Sequence, residues 1–203
     1  MTDTAPVGLR ERKRERLRER LIDVAVELFT ERGFEATTID QIAAAADVSR
    51  RNYFRYFRSK EDVALAWFDG NADAVADRIR RRPATEPPIA AVTAAVAAEL
   101  DLVGALPGRL ATIGRLFRQS PTLRAQYLAH MELVGHAIAR SVAARIGEDP
   151  NALVPTLIGA FFSGTIPPVV DAWIEAGASD SLSERFTASI AALETVIVTG
   201  RSR

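Results

Sequence analysis

No cysteine occurs in the 203 residues, which excludes disulfides and thiolate metal sites and suits a reducing cytoplasm. Histidine is scarce as well. His130 and His136 stand six apart, a poor chelating spacing on a helix, and Glu132 with His136 adds only one i, i+4 pair, so no metal site is expected. The chain lacks a Gly-rich phosphate loop and a nucleophile elbow, and its scattered serines and aspartates assemble no triad in sequence. No catalytic residue, no cofactor and no enzymatic activity are therefore expected. Net charge is missing too, because 26 basic residues balance 26 acidic ones. The first 20 residues, MTDTAPVGLRERKRERLRER, have no apolar stretch of signal-peptide type. One uncharged run, PNALVPTLIGAFFSGTIPPVV at 150–170, is long enough to cross a bilayer. Pro150, Pro155, Pro167, Pro168, Gly159 and Gly164 interrupt it, so a helix buried in protein on nearly every side is expected there, with no membrane partner.

What the chain has is helix and unevenly placed charge. Ala, Leu, Arg and Glu dominate and strand-like alternation is scarce, so the fold class is all-α. Residues 1–60 hold 13 basic and 10 acidic groups, against 13 and 16 in the remainder. The first helix is predicted over about 10–32, with Leu17, Leu21, Val24, Ala25, Leu28 and Phe29 on one face. Gly33 then stops it and Phe34 folds back on Phe29. Thr38 and Gln41 have capping-box spacing and open a short second helix with Ile39, Ile42, Ala43 and Ala46 inward. Asp47 and Val48 turn the chain, and Ser49 caps a third helix over about 50–56. Ser59 caps a fourth over 60–82. PATEPP at 83–88 is a break, and further helices are predicted at about 89–104, 107–119, 121–147, 151–177 (bent near Pro167 and Pro168) and 181–199.

The window 49–60, SRRNYFRYFRSK, gathers five cations and four aromatic rings with no acid. A basic helix alone is commonly just a solvated face. Here it follows a capped short helix and a tight turn, which makes a helix-turn-helix whose second helix would enter a DNA major groove. Val48, Phe54 and Phe57 would pin that helix, leaving Arg50, Arg51, Asn52, Tyr53 and Tyr56 outward. Arginine can read guanine bidentately and Asn adenine. Thr38, Ser49, Tyr56 and Lys60 sit where phosphate contacts are made. The segment 10–20, RERKRERLRER, holds seven basic and three acidic residues and either reaches phosphates or stays a solvated helix end.

Residues 17–65 resemble the DNA-binding domain of the TetR family of bacterial regulators, through AVELFTERGFEATTIDQIAAAADVS and YFRYFRSKEDV. Asp47 stands where that family usually has Gly, Asn52 where Thr is common, and Phe54 where Tyr is common. The resemblance implies a cytoplasmic helical homodimer that reads a near-palindromic double-stranded operator and is released by a small-molecule inducer. It implies an N-terminal three-helix domain at 1–60 joined to a helical ligand-binding and dimerisation domain at 61–203. Members with a similar reading helix and an element like AWIEAG at 172–177 carry a C-terminal domain called acyl-CoA-like ligand-binding. Ligand candidates are Tyr127, Met131 and Val134 on the helix at 121–147, with Phe161, Phe162 and Thr165 facing them; ordinary core packing is the competing reading for each. An activator or ligand-independent regulator stays open, as does a helical enzyme or carrier that keeps the motif as scaffold.

Overall fold

The computed structural model describes residues 8–199, and among them every regular element is helical. The chain divides into two compact units. The first runs to Phe68 and also takes in Leu116–Leu123; the second holds Asp69–Arg115 and resumes at Arg124.

In the first unit, α1 spans Leu9–Arg32, α2 Ile39–Ala45, α3 Arg50–Tyr53 and α4 Lys60–Leu65. Leu21, Ile22, Ala25, Leu28 and Phe29 of α1 are buried, as a stripe repeating every three to four residues requires. Gly33, at φ 84°, ends α1 in a conformation glycine adopts without strain, and the Phe34 ring sits 5.0 Å from that of Phe29. Thr37 is buried in the connection, its hydroxyl donating to the Gly33 carbonyl at 2.8 Å.

The sequence predicts one fourth helix through Arg82, and the structure breaks it. After α4 the chain makes a 3₁₀ turn at Ala66–Phe68, and α5 starts afresh at Asn71–Arg81. Gly70 between them is left-handed at φ 84° and ψ −10°, which no helix can continue through. The break also places the unit boundary after Phe68 rather than after Lys60, since α4 packs on α1 and Val63, Ala64, Ala66 and Phe68 are all buried.

The second unit contains α5, α6 (Pro88–Gly104), the start of α7 (Pro107–Gln119), most of α8 (Pro121–Ile146), α9 (Leu153–Glu175) and α10 (Leu182–Thr199). Helix α6 lies between α5 and α10 and buries Val92, Val96 and Leu100. Arg145 fixes the PATEPP break by donating to the carbonyls of Arg82, Pro83 and Glu86. Helix α9 runs through Pro167 and Pro168, which cannot donate to the carbonyls of Ser163 and Gly164 four residues before them. It is long and apolar enough to cross a membrane. Phe162, Ile166 and Trp173 are buried, but Leu153, Val154, Leu157 and Phe161 are exposed. The expectation of burial on nearly every side is thus corrected: the described chain covers one face of α9, not both.

Helices α8 and α9 cross at two glycines. A Cβ on Gly159 would overlap the carbonyl oxygen of Gly135 and lie 3.1 Å from Ala139 Cβ. Only glycine permits backbones this close.

Candidate nucleic-acid interface

The local code for the motif begins at Thr38. Its hydroxyl accepts from the Gln41 amide at 3.3 Å while the Gln41 side chain accepts from the Thr38 amide at 2.9 Å, completing a capping box. Helix α2 ends with Asp47 at φ 59°, left-handed. The Asp47 amide donates to Ala44 and the Val48 amide to Ala43, the paired bonds that close a helix C-terminus. Aspartate tolerates this geometry better than most residues, which explains how it replaces the glycine common in similar sequences. Ser49 then accepts from the Asn52 amide at 3.1 Å and caps α3.

The third helix is shorter than predicted. Regular α geometry covers Arg50–Tyr53, and a mixed turn carries the chain to Phe57. Its faces are also rotated from the expected ones. Tyr53 has no exposed surface, whereas Phe54 is 43% exposed. Tyr53 stacks at 5.7 Å on Phe57, one helical turn on, and its hydroxyl donates to the Ser59 carbonyl at 2.7 Å. That bond is what lets a phenol replace a phenyl in the core. Burial, then Asp62 and Glu61, push the Tyr53 phenol's pKa well above its ordinary value. Tyr53 therefore leaves the outward set, and Phe54 joins it with the Arg50 guanidinium 5.5 Å from its ring.

Lys60 is corrected as well. Its ammonium lies 2.8 Å from the Phe34 carbonyl and also donates to those of Glu35 and Thr37, 4.2 Å from the Phe34 ring. It ties the α1–α2 connection to the start of α4 and has no donor left over for phosphate. Lys60→Met is expected to lower stability by about 1.5–3 kcal/mol, the range for hydrogen bonds to a charged group. The slope of DNA affinity against salt is expected to stay unchanged, and a fall of about one in that slope would restore Lys60 as a phosphate contact.

The remaining residues form one outer surface. Thr38, Ser49, Arg50 and Arg51 are exposed, and Asn52 and Tyr56 are half-buried. Arg50 is held by Asp40 at 2.8 Å, an exposed pair of little net strength. Arg51 has neither an ion pair nor a hydrogen bond among the described residues. Asn52 accepts a long 3.5 Å contact from Arg55. Sequence reasoning passed over Asp40 and Arg55 and placed Phe54 inward; the Asp40–Arg50 pair, ten residues apart, could not be seen without the turn between them.

The ligand candidates do not assemble. Tyr127, Val134 and Phe162 are buried in the core of the second unit, and Phe162 stacks on Phe186 at 6.4 Å. Burial, then Asp171, raise the Tyr127 phenol's pKa, and Arg124 opposes them. Thr165 donates to the Phe162 carbonyl at 2.8 Å, and Phe161 points outward. Met131 alone of the six lines an open groove of about 490 Å³ between α8 and α9, together with Arg124, Leu128, Glu132, His136 and Pro168. Periodicity could not separate groove from core because one wide apolar stripe of α8 serves both. Among the described residues no group of three His, Cys, Asp or Glu is placed to hold a metal ion.

A capped helix packed on α1, a tight turn and a short cationic helix packed on α2 define a helix-turn-helix DNA-binding protein. Residues 21–67 match the bacterial regulatory proteins of the tetR family, and residues 86–197 match the MftR C-terminal domain. The chain is 38% identical over 174 residues to the HTH-type transcriptional regulator TcmR of Streptomyces glaucescens, covering 82% of this chain and 76% of that one. It is 28% identical to the putative mycofactocin biosynthesis transcriptional regulator MftR of Mycobacterium tuberculosis, over 88% and 89% of the two chains. In fold it is similar to the regulator FadR of Bacillus subtilis in complex with stearoyl-CoA, with a TM-score of 0.60 and 21% identity over 90% of this chain and 98% of that one. The chain belongs to the TetR family of DNA-binding transcriptional regulators.

Proposed function

We propose that the chain is a repressor that binds a near-palindromic operator as a dimer and leaves it when a small molecule binds the second unit. It acts on the chromosome in the cytoplasm and catalyses nothing. The observation that carries the reading is Arg51, exposed on the motif's outer face with no role in holding the fold. Arg51 and Asn52 would read base edges, with Arg50 and Phe54 beside them. Thr38, Ser49 and Tyr56 would fix register on phosphates.

Two further features support the regulatory part. Leu153, Leu157 and Phe161 repeat every four residues along one exposed face of α9, and Leu193, Val196 and Ile197, at i, i+3 and i+4, share an exposed face of α10. Helices α9 and α10 pack on each other, and exposed large apolar side chains in such numbers are a mark of a protein–protein contact. A second copy would cover them, and two-fold symmetry would then present two reading helices to one operator. Leu157→Glu is expected to give a monomer in sedimentation and to weaken operator binding at least a hundredfold; a variant that stays dimeric would remove α9 from the interface. For the ligand, support comes from the stearoyl-CoA complex named above, and acyl thioesters are the first class to screen. Met131 in the α8–α9 groove is the contact of first choice. The chain crosses between its units at Phe68–Asp69, Arg115–Leu116 and Leu123–Arg124, so a ligand that favours one arrangement has covalent leads into the reading unit. A useful response needs a coupling of about 1–3 kcal/mol.

Selection from a random duplex library tests the reading. Enrichment of one near-palindromic sequence is expected, and enrichment of none would sink it.

A further inference from the structure

The stretch with the most arginines and lysines lies outside the helix-turn-helix. Helix α1 begins at Leu9, so residues 11–20 form a regular helical extension. Residues 11–16, 19 and 20 are exposed, and Leu17 and Arg18 are half-buried. Arg18 anchors the extension. It lies 3.5 Å from the Ala66 carbonyl, 3.8 Å from Glu15 and 5.7 Å from the ring of Phe57. Phe57 closes the reading segment, so the extension departs from beside the end of that segment. From Arg20 back to Leu9 it is roughly 16 Å long at 1.5 Å per residue.

Charge along this helix is sorted rather than alternated. Glu11, Glu15, Glu19 and Asp23 recur every four residues and form one stripe. Arg12, Arg16 and Arg20 recur with the same spacing and form a second stripe beside it. Every i, i+4 neighbour within each stripe is thus a like charge, which weakens an isolated helix; Glu placed four before Arg would have strengthened it. Arg12, Arg16 and Arg20 have no ion pair or hydrogen bond among the described residues. Each of the three also has an acid three residues on (Glu15, Glu19 and Asp23), yet none is drawn into an ion pair with it among the described residues, so the row of guanidinium groups is available to another partner.

We infer that Arg12, Arg16 and Arg20 form a second DNA contact, a row of phosphate clamps on the duplex flanking the sequence read by α3. The inference rests on the proposed operator reading. A row of evenly spaced guanidinium groups fits the regular phosphates of a DNA backbone, which attract cations without regard to base sequence. An anionic membrane surface fits less well, because a helix lying in that surface needs an apolar face. Between residues 10 and 20 the only apolar residue is Leu17, and it is turned partly into the protein.

The test uses the full-length protein, its Arg12→Gln/Arg16→Gln/Arg20→Gln variant, and the duplex enriched by selection. Glutamine keeps the helix, since its propensity equals that of arginine. Affinity is measured across salt concentrations for that duplex, for the same duplex shortened by about five base pairs at each end, and for random DNA. The wild type is expected to lose affinity on shortening. The variant is expected to bind both the selected and the random duplex at least about tenfold more weakly, to show a salt slope smaller by about five (roughly 0.9 for each clamp on both protomers), and to be indifferent to shortening. Unchanged affinity and slope in a variant that still selects the operator would overturn the inference and leave the reading intact. A changed oligomeric state with an unchanged slope would also overturn it, reassigning the stripes to pairing between copies. Failure of the wild type to prefer the selected duplex over random DNA would overturn the reading and the inference together.

Discussion

Alanine at both Arg51 and Asn52 is expected to weaken the operator complex by roughly a thousandfold, about 4 kcal/mol, while the melting temperature stays within a degree or two of the wild type. Each bidentate base contact is worth about 1–3 kcal/mol in discrimination, and a dimer would present four of them. The fold should not register the change. Arg51 is exposed and bonds to nothing described, and the cap of α3 uses the amide of Asn52 rather than its side chain. The loss is expected to fall on specific binding, with affinity for random DNA nearly intact, because the phosphate contacts remain. Arg51→Lys is expected to recover part of the affinity but little of the sequence preference, since an ammonium keeps the charge without the planar fork. Anisotropy on selected and random duplexes separates these outcomes. Equal loss on both would make Arg51 a phosphate contact.

The second large effect is on folding. Gly159→Ala is expected to destabilise the second unit by about 3 kcal/mol, the upper part of the range for overpacked cores. Helix propensity alone predicts the opposite sign, because alanine is favoured over glycine by about 1 kcal/mol in a helix interior. Steric overlap decides here. The new Cβ would meet the Gly135 carbonyl, which is backbone and cannot rotate away, and Ala139 Cβ at 3.1 Å. Gly164, in the same helix, has nothing within 4 Å of an added Cβ. Gly164→Ala is therefore expected to be neutral or slightly stabilising. Thermal melts of the two variants make the comparison. A drop for Gly159→Ala of about 6–12 °C against none for Gly164→Ala is the expected result. Similar melts for both would mean that α8 and α9 separate readily, and the groove beside Met131 with them.

The devices that organise the motif were legible because they act over three or four residues. Thr38 with Gln41, Ser49 with Asn52 and Ser59 with Asp62 all cap as their spacing predicts. Gly33 stops α1, and Asp47 takes the left-handed turn. What escaped depends on partners distant in sequence or on the choice between similar rings. Hydropathy ranks Tyr53 below Phe54 for burial, and only the Ser59 carbonyl reverses that order. Lys60 reads as a free cation until the chain folds and brings it to carbonyls 23 to 26 residues away. The break at Gly70 was signalled by Asp69-Gly70-Asn71, a turn-type sequence of poor helix formers, and was passed over because helical sequence lies further out on both sides. On α8 one wide apolar stripe serves both the core and the groove, and on α9 apolar residues also reach the surface, so periodicity could not tell Val134 and Phe162 in the core from Met131 at the groove.

The central claim is that the outer surface of α3 reads a specific DNA sequence. Its most direct test is fluorescence anisotropy of the wild-type protein with a labelled fragment from upstream of its own gene. Unlabelled random DNA serves as competitor, at low and at near-physiological salt. Binding that survives an excess of competitor at the higher salt is the predicted result. Binding that vanishes with competitor there, on this fragment and on every duplex offered by selection, would mean phosphate attraction alone and would contradict the account.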